Sequence, residues 1–193
     1  LLIPNGSGGN KALNIQSTDT GNLILAARVS ETGNEYAALA NISSTGDIIF
    51  GQNFYAEDQG YSPDPGLNMV INDTCIFLAC QYYNGDANLD LQMLCIEKTS
   101  LDTLWTKSYT RPLDDYILQI LETADNNLVM VSAAKTASNR SNLRLTKTDK
   151  SGNIIWDHFF DDFKTYYPWQ ATTTEGGILV AYGAYSFGAF YKT

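Results

Sequence analysis

The most informative segment of this chain is Asp149-Lys150-Ser151-Gly152-Asn153-Ile154-Ile155-Trp156, because its pattern recurs along the sequence. A polar turn that contains glycine leads into aliphatic residues and then into an aromatic residue. The same order is found at Ser44–Phe50 and, with Leu101-Asp102 replacing the glycine, at Ser100–Trp105. The three closing aromatics follow one another at intervals of about 50 residues, which is the length of a structural repeat.

A second pattern occurs four times, and in each copy a polar, turn-forming patch runs directly into an apolar segment. The equivalent positions Leu25, Leu78, Met130 and Val180 are again about 50 residues apart. Gly-Asp and Gly-Asn pairs supply the positive φ that a tight hairpin needs. Each repeat is therefore predicted to contain two hairpins, one at each pattern. The four copies are Thr18–Ala26, Asp73–Ala79, Ala124–Val131 and Thr174–Ala181.

The segments between these turns have the length and composition of β-strands, and no useful stretch shows helical periodicity. Four short strands in each unit of about 50 residues predict an all-β chain, a β-propeller of four-stranded antiparallel blades with about four blades. The middle strands are apolar throughout, as expected when both faces of a blade are covered. In the first repeat we expect strands at Leu13–Ser17, Leu23–Val29, Glu35–Ile42 and Ile48–Phe54.

Residues 1–193 are predicted to form one propeller domain or propeller segment, with repeats at about 13–60, 67–113, 117–163 and 167–193. Leu1-Leu2-Ile3 resembles the start of the strand at Ile154, so residues 1–4 are expected to close the last blade as its outer strand. Half of a larger ring, cut from a longer protein, is the alternative. The start at Leu1 without a methionine favours a processed or excised piece.

Charge and composition narrow the range of partners. The chain has 193 residues, 44% of them hydrophobic and 17% charged, and its formal net charge is −9. This charge repels nucleic-acid phosphates and anionic membrane surfaces. No apolar run approaches the length needed to cross a bilayer. We therefore expect neither nucleic-acid binding nor membrane insertion.

The two patterns together resemble the propeller repeats of secreted and cell-surface proteins from Bacteroidota, and the first pattern, which ends in an aromatic residue, is similar to the Trp-docking repeat of quinoprotein-type propellers. The resemblance implies an extracellular or cell-surface location. It also implies that Phe50, Trp105 and Trp156 dock one blade on the next. The quinone cofactor does not carry over, because the sequence shows no metal-ligand cluster or stacking platform for it. Leu101-Asp102 departs from the pattern and puts the geometry of that turn in question.

No assembled set of catalytic residues can be recognised, so no cofactor, metal or catalytic residue is predicted. His158 is the single histidine, which excludes zinc sites built on several histidines, and we expect it to share a strand face with Trp156. Glu122 is the one acidic residue on the expected inner strands, so an acid–base pair in the central channel has little support. The acids Asp114-Asp115 are expected in a solvated turn between blades. The cysteines Cys75, Cys80 and Cys95 are expected to be buried thiols, with a bridge from Cys95 to either of the others left open.

Candidate binding residues lie on the inner strands and the loop that feeds the last of them. Exposed aromatics can stack on sugar rings or anchor a protein partner. The sequence therefore predicts a non-enzymatic extracellular module that presents loops to a protein or glycan. The alternatives are part of a glycosidase-like hydrolase or lyase, and a structural spacer in a larger surface assembly. The candidates are Tyr167, Trp169, Gln170, Gln119 and Glu122.

Overall fold

The structure is a computed structural model, and it describes residues 11–31, 34–54, 68–83, 88–137, 140–160, 165–184 and 189–192. The expected closing strand at residues 1–4 lies outside these ranges. In these ranges the chain forms strands joined by turns and bends, and no helix occurs in them. Accordingly, the described residues contain no helix that could cross a membrane.

The strands form four antiparallel sheets that follow one another along the chain. Within each sheet, neighbours in sequence are neighbours in space, so every connection inside a sheet is a hairpin. The all-β prediction is confirmed, and the architecture is that of a β-propeller with about four blades.

The first sheet contains β1 (Lys11–Ser17), β2 (Leu23–Glu31), β3 (Asn34–Ile42) and β4 (Ile48–Phe54). The second contains β5 (Asn68–Ile71), β6 (Cys75–Tyr83), β7 (Leu89–Glu97) and β8 (Thr103–Tyr109). The third contains β9 (Asp115–Glu122), β10 (Leu128–Lys135), β11 (Ser141–Thr148) and β12 (Ile154–Phe160). The fourth contains β13 (Thr165–Thr174), β14 (Gly177–Ala184) and β15 (Ala189–Lys192).

Alternate residues of each middle strand pack against opposite neighbours, which explains why these strands are apolar throughout. Leu78 of β6 packs in a cluster with the first sheet, whereas Phe77 packs in a cluster with the third. In the same way Met130 of β10 faces the second sheet and Val131 faces the fourth. Side chains on adjacent positions of a strand point to opposite faces. The hydrophobic core is therefore divided into three layers, one between each pair of successive sheets.

The turn between the third and fourth strands of a sheet, here called the third turn, has one residue in the left-handed region in every described copy. Gly46 has φ of 91°, Leu101 61° and Gly152 77°. The Leu101 turn is closed by hydrogen bonds from Leu101 N–H to Glu97 C=O (3.0 Å) and from Glu97 N–H to Asp102 C=O (2.8 Å). Leucine thus replaces glycine without loss of the hairpin, and its side chain is fully buried.

Polar side chains join the first strands of successive sheets, here called the inner strands. Asn14 on β1 donates to Asn68 on β5 (3.0 Å), and Asn68 donates in turn to the carbonyl of Leu118 on β9 (2.9 Å). Gln119 on β9 accepts a hydrogen bond from the backbone N–H of Ala171 on β13 (2.6 Å). These bonds fix the offset between neighbouring sheets, which nonpolar packing alone leaves free to slide.

Candidate binding cleft

A cleft of about 780 Å³ opens between the third and fourth sheets. Its floor is apolar, with Val129 and Leu145 from the third sheet and Ile178 from the fourth. Its rim is polar and comes from the first turns of the two sheets, which carry Asp125 and Glu175. An apolar concavity with a few polar groups at its edge is typical of a binding site.

One wall of the cleft is a row of aromatic side chains on the outer strand β12. Trp156, His158 and Phe160 are two residues apart, so they lie on the same face of the strand. The rings of Trp156 and His158 are 6.4 Å apart in an edge-to-face arrangement, and those of His158 and Phe160 are 5.5 Å apart. His158 is exposed, and it shares a face with Trp156 as predicted. This row is called the aromatic wall below.

The charged rim is held by the turn that leads into β10. Thr123 Oγ1 and Asn127 Nδ2 donate to the two carboxylate oxygens of Asp125 at 2.6 and 3.0 Å, and Lys147 Nζ lies 2.7 Å from the same group. The hydrogen bonds from Lys147, Thr123 and Asn127 lower the pKa of Asp125 well below its usual range. Asp125 therefore stays a carboxylate at any physiological pH, which suits it to bind a cation or to accept hydrogen bonds.

The aromatics assigned to blade docking occupy equivalent places in the structure. Phe50, Trp105 and Trp156 are each partly buried against the core layer that separates their own sheet from the next. Trp105 also reaches the third turn of the following sheet, where a Cβ on Gly152 would lie 3.0 Å from its ring. Next to it, Tyr109 Oη donates a hydrogen bond of 3.0 Å to the carbonyl of Gly152.

Of the inner-strand candidates, Gln119, Glu122 and Gln170 do not line the cleft, and the first two are engaged within the protein. Gln119 uses its carbonyl oxygen in the bond to Ala171 described above. Glu122 forms an ion pair with Lys150 of the third turn. Gln170 is exposed. Tyr167 and Trp169 lie in β13, with Tyr167 opposite Gly183, but their side chains are outside the described part of the structure.

A buried ion network lies between the second and third sheets, and it corrects one expectation. Asp115 is fully buried and accepts hydrogen bonds from Arg111 Nη1 (2.7 Å) and Arg144 Nη1 (2.5 Å). Arg144 also binds both oxygens of Asp157 at 2.9 Å, and the Phe159 ring lies under both guanidinium groups. The prediction that Asp115 is solvated was wrong, because β9 begins at this residue and turns its side chain inward towards Arg144.

The environment of Asp115 gives it a perturbed pKa but no access to a ligand. Burial raises its pKa to about 6, although the two arginines act in the opposite direction. Perturbed groups often mark active sites, yet structural ion networks produce the same signature. Asp115 has no exposed surface. We therefore assign the network to stability of the interface between sheets.

The cysteines are free thiols in the structure. Burial raises the pKa of Cys80 above its ordinary range and that of Cys95 to about 12, with a hydrogen bond from Cys75 adding to the effect at Cys95. Among the described residues, no group of three or more His, Cys, Asp or Glu side chains is placed to hold a metal ion.

The cleft was not predicted as a site from the sequence. The alternation Trp156-x-His158-x-Phe160 could have indicated it. An outer strand of a blade is less buried than a middle strand, so a row of aromatic residues there is not explained by core packing. Asp125 and Glu175 carried no signal of their own, because acidic turn residues are common on any surface.

The comparisons with known proteins support the propeller fold. No family model and no curated protein matches the chain. It is similar to a neuraminidase-like protein from A/bat/Guatemala/164/2009 (TM-score 0.58, 10% identity), with 92% of this chain and 50% of that chain covered. It is also similar to the subtype N10 neuraminidase-like protein of A/little yellow-shouldered bat/Guatemala/060/2010 (TM-score 0.55, 9% identity), with 90% and 54% covered.

A protein of unknown function from Bacteroides caccae matches at a TM-score of 0.45 and 9% identity, over 90% of this chain and 71% of that chain. The chain spans about half the length of the neuraminidase-like chains. At such identities the likeness concerns the fold and carries no activity with it.

Proposed function

We propose that this chain is a non-enzymatic binding or scaffold module of the cell surface or extracellular space, and that it recognises a protein or a glycan. The observation that carries the proposal is the open cleft with its aromatic wall of Trp156, His158 and Phe160. Aromatic rings bury a large area at little entropic cost, and they stack equally well on sugar rings and on polypeptide. The location rests on the resemblance of the repeats to those of secreted propellers.

The inner-strand candidates form a second proposed surface. Gln170 is exposed beside the backbone positions of Tyr167 and Trp169. Gln119 and Glu122 contribute to this surface mainly by holding neighbouring segments in place, since Ala171 and Lys150 already engage them. We rank the cleft first, because its described side chains form a continuous concave wall.

A hydrolase is the second candidate, and two observations favour it. The neighbours in the comparison are neuraminidase-like propellers. The cleft also places Asp125, Glu175 and His158 around one concavity, and glycoside hydrolysis typically uses two carboxylic groups. Against it, Asp125 has a lowered pKa and is tied to Lys147, so it is unsuited to act as the general acid.

The proposal is tested by probing the whole chain against a glycan array and a peptide array, with His158→Ala as the cleft variant. His158 is exposed, so its loss should leave the fold intact while removing part of the aromatic wall. Ile155→Ala is the matched control, because Ile155 is exposed on the other face of the same strand. We expect binding that weakens in the His158 variant and is unchanged in the control.

Two results would reject the binding proposal. The first is the absence of any ligand on both arrays. The second is release of the fluorophore from a fluorogenic neuraminic acid glycoside by the wild-type chain but not by Glu175→Gln, which would establish the hydrolase instead.

A further inference from the structure

Two of the three cysteines meet in the core layer between the second and third sheets. Cys75 begins β6, and Cys95 lies on the neighbouring strand β7. Both pack in the cluster that also contains Phe77 and Trp105. A hydrogen bond joins the two thiol side chains, so their sulfur atoms are neighbours in the folded protein.

Cys80 is separated from this pair by the sheet itself. It follows Cys75 at an odd spacing on the same strand, so its side chain points to the opposite face. There it packs in the cluster shared with the first sheet and is fully buried. Of the two bridges that the sequence leaves open for Cys95, the structure therefore selects the one to Cys75.

The two thiols of the pair differ in their access to solvent. Cys95 is 3% exposed, and burial together with the hydrogen bond to Cys75 raises its pKa to about 12. Cys75 is partly exposed, and Thr74 Oγ1 donates a hydrogen bond of 3.5 Å to its sulfur. An accessible thiol is the first to meet a dissolved oxidant, whereas a buried thiol reacts with a sulfur that is already beside it.

The strand register decides what kind of bond the pair can form. Cys75 lies opposite Glu97 and Cys95 opposite Phe77, so the two cysteines are diagonal neighbours on one face. Diagonal positions are about 7–8 Å apart, which is wider than the roughly 4.4–6.8 Å between the Cα atoms of an ordinary disulfide. A bridge therefore needs a small shift at the start of β6, beside the turn in which Asn72 N–H donates to Cys75 C=O. The resulting strain makes the bond easy to reduce.

We propose that Cys75 and Cys95 form a reversible redox site, at which a low-molecular-weight disulfide such as oxidised glutathione creates a bridge between β6 and β7. The Cys75 thiolate attacks the reagent, which forms a mixed disulfide and releases one glutathione. Cys95 then gives up its proton and attacks the Cys75 sulfur, and the second glutathione leaves. Two protein thiols are thus oxidised to one disulfide, while one glutathione disulfide is reduced to two thiols. The site is independent of any ligand of the cleft.

The experiment treats the full chain at micromolar concentration with oxidised glutathione, counts free thiols in denaturant and maps the linked peptides by mass spectrometry. We expect free thiols to fall from three to one per chain, with Cys75 linked to Cys95. An excess of reduced glutathione should restore all three, because the bond is strained. Cys80→Ala is the matched control, and it should lose both of its remaining thiols. Cys75→Ser should keep both of its thiols, because Cys80 and Cys95 are buried.

Other outcomes overturn the inference. These are three unreacted thiols, a mixed disulfide that stays on Cys75, a bridge between two chains, or a bridge that includes Cys80. A bridge that resists an excess of reduced glutathione would be a structural disulfide and would reject the reversible site. Circular dichroism shows whether each variant is folded. If Cys80→Ala is not, the peptide map of the wild-type chain decides alone, since it identifies the linked cysteines directly.

Discussion

Leu101 in the second sheet and Gly152 in the third occupy the same place in their turns, with φ of 61° and 77°. The left-handed region costs a leucine about 1–2 kcal/mol relative to glycine. Leu101 offsets this cost by burying its whole side chain in the core layer that also contains Phe50 and Phe54, whereas at Gly152 the ring of Trp105 takes the space of a side chain. Successive sheets are thus packed together in two ways. One interface combines Phe50 with Leu101, and the next combines Trp105 with Gly152.

Leu101→Gly should destabilise the protein in spite of relieving the backbone. Loss of a fully buried leucine costs about 2–5 kcal/mol, and relief of the left-handed strain returns about 1–2 kcal/mol. We expect a net loss of about 1–3 kcal/mol in the free energy of unfolding, measured by urea denaturation. A variant as stable as the wild type would show that packing of the leucine does no more than balance the strain, about 1–2 kcal/mol.

Gly152→Ala should be more destabilising than Gly46→Ala, although both glycines have positive φ. A Cβ at Gly46 meets no atom within 4 Å, whereas at Gly152 it collides with Trp105 and Lys107. We expect about 1 kcal/mol for Gly46→Ala and at least twice that for Gly152→Ala. Equal losses in thermal or chemical unfolding would mean that Trp105 does not pack against this turn.

Trp105→Ala should cost more stability than Trp156→Ala. Trp105 is covered by the Gly152 turn, and its removal should cost about 3–5 kcal/mol. Trp156 lines an open cleft, so fewer contacts are lost with it. The two variants can be ranked in one series of urea denaturation curves. A larger loss of stability in Trp156→Ala than in Trp105→Ala would mean that Trp156 is packed more tightly than a residue lining an open cleft.

Arg144→Met should destabilise strongly, because it leaves Asp115 and Asp157 without their shared counter-charge. Breaking one partner of a buried network typically costs about 3–5 kcal/mol. The control is Lys147→Met, which removes a cation paired with the exposed Asp125 and should cost less than about 1 kcal/mol. If both variants lost the same free energy of unfolding, the Arg144 ion pairs would stabilise the fold no more than an exposed ion pair does.

Glu97 should make the stability of the fold depend on pH in the acid range. Its carboxylate accepts hydrogen bonds from Thr99 N–H (2.8 Å), Thr99 Oγ1 (2.7 Å) and Ser100 N–H (2.5 Å), which lower its pKa to about 2 from an ordinary value of 4.5. A depressed carboxyl pKa stabilises the fold above its unfolded value and loses that effect as pH falls towards the folded value. The difference in Tm between wild type and Glu97→Gln should therefore be largest above pH 5 and should shrink between about pH 4.5 and 2. A difference that stays constant over this range would contradict the assignment.

Much of the fold could be predicted because its signals are local. The first-repeat strands were expected at Leu23–Val29 and Ile48–Phe54, and they are found at Leu23–Glu31 and Ile48–Phe54. Turn glycines such as Gly46 act through their own backbone, so their effect can be recognised without knowledge of distant residues. Leu101 could not be interpreted in this way, because the energy that holds it in a left-handed conformation comes from a neighbouring sheet.

The repeat, its hairpins and the all-β architecture could be predicted from residue types alone, because each hairpin depends on residues a few positions apart and the repeat on their recurrence about every 50 residues. Three further features became visible only once the chain was folded: Asp115 is buried against Arg144, Asn14 and Asn68 join two inner strands, and Trp156 lines a cleft. These features join residues that are far apart in the chain. Their energies arise from burial and contact between sheets, and no local pattern of residue types records them.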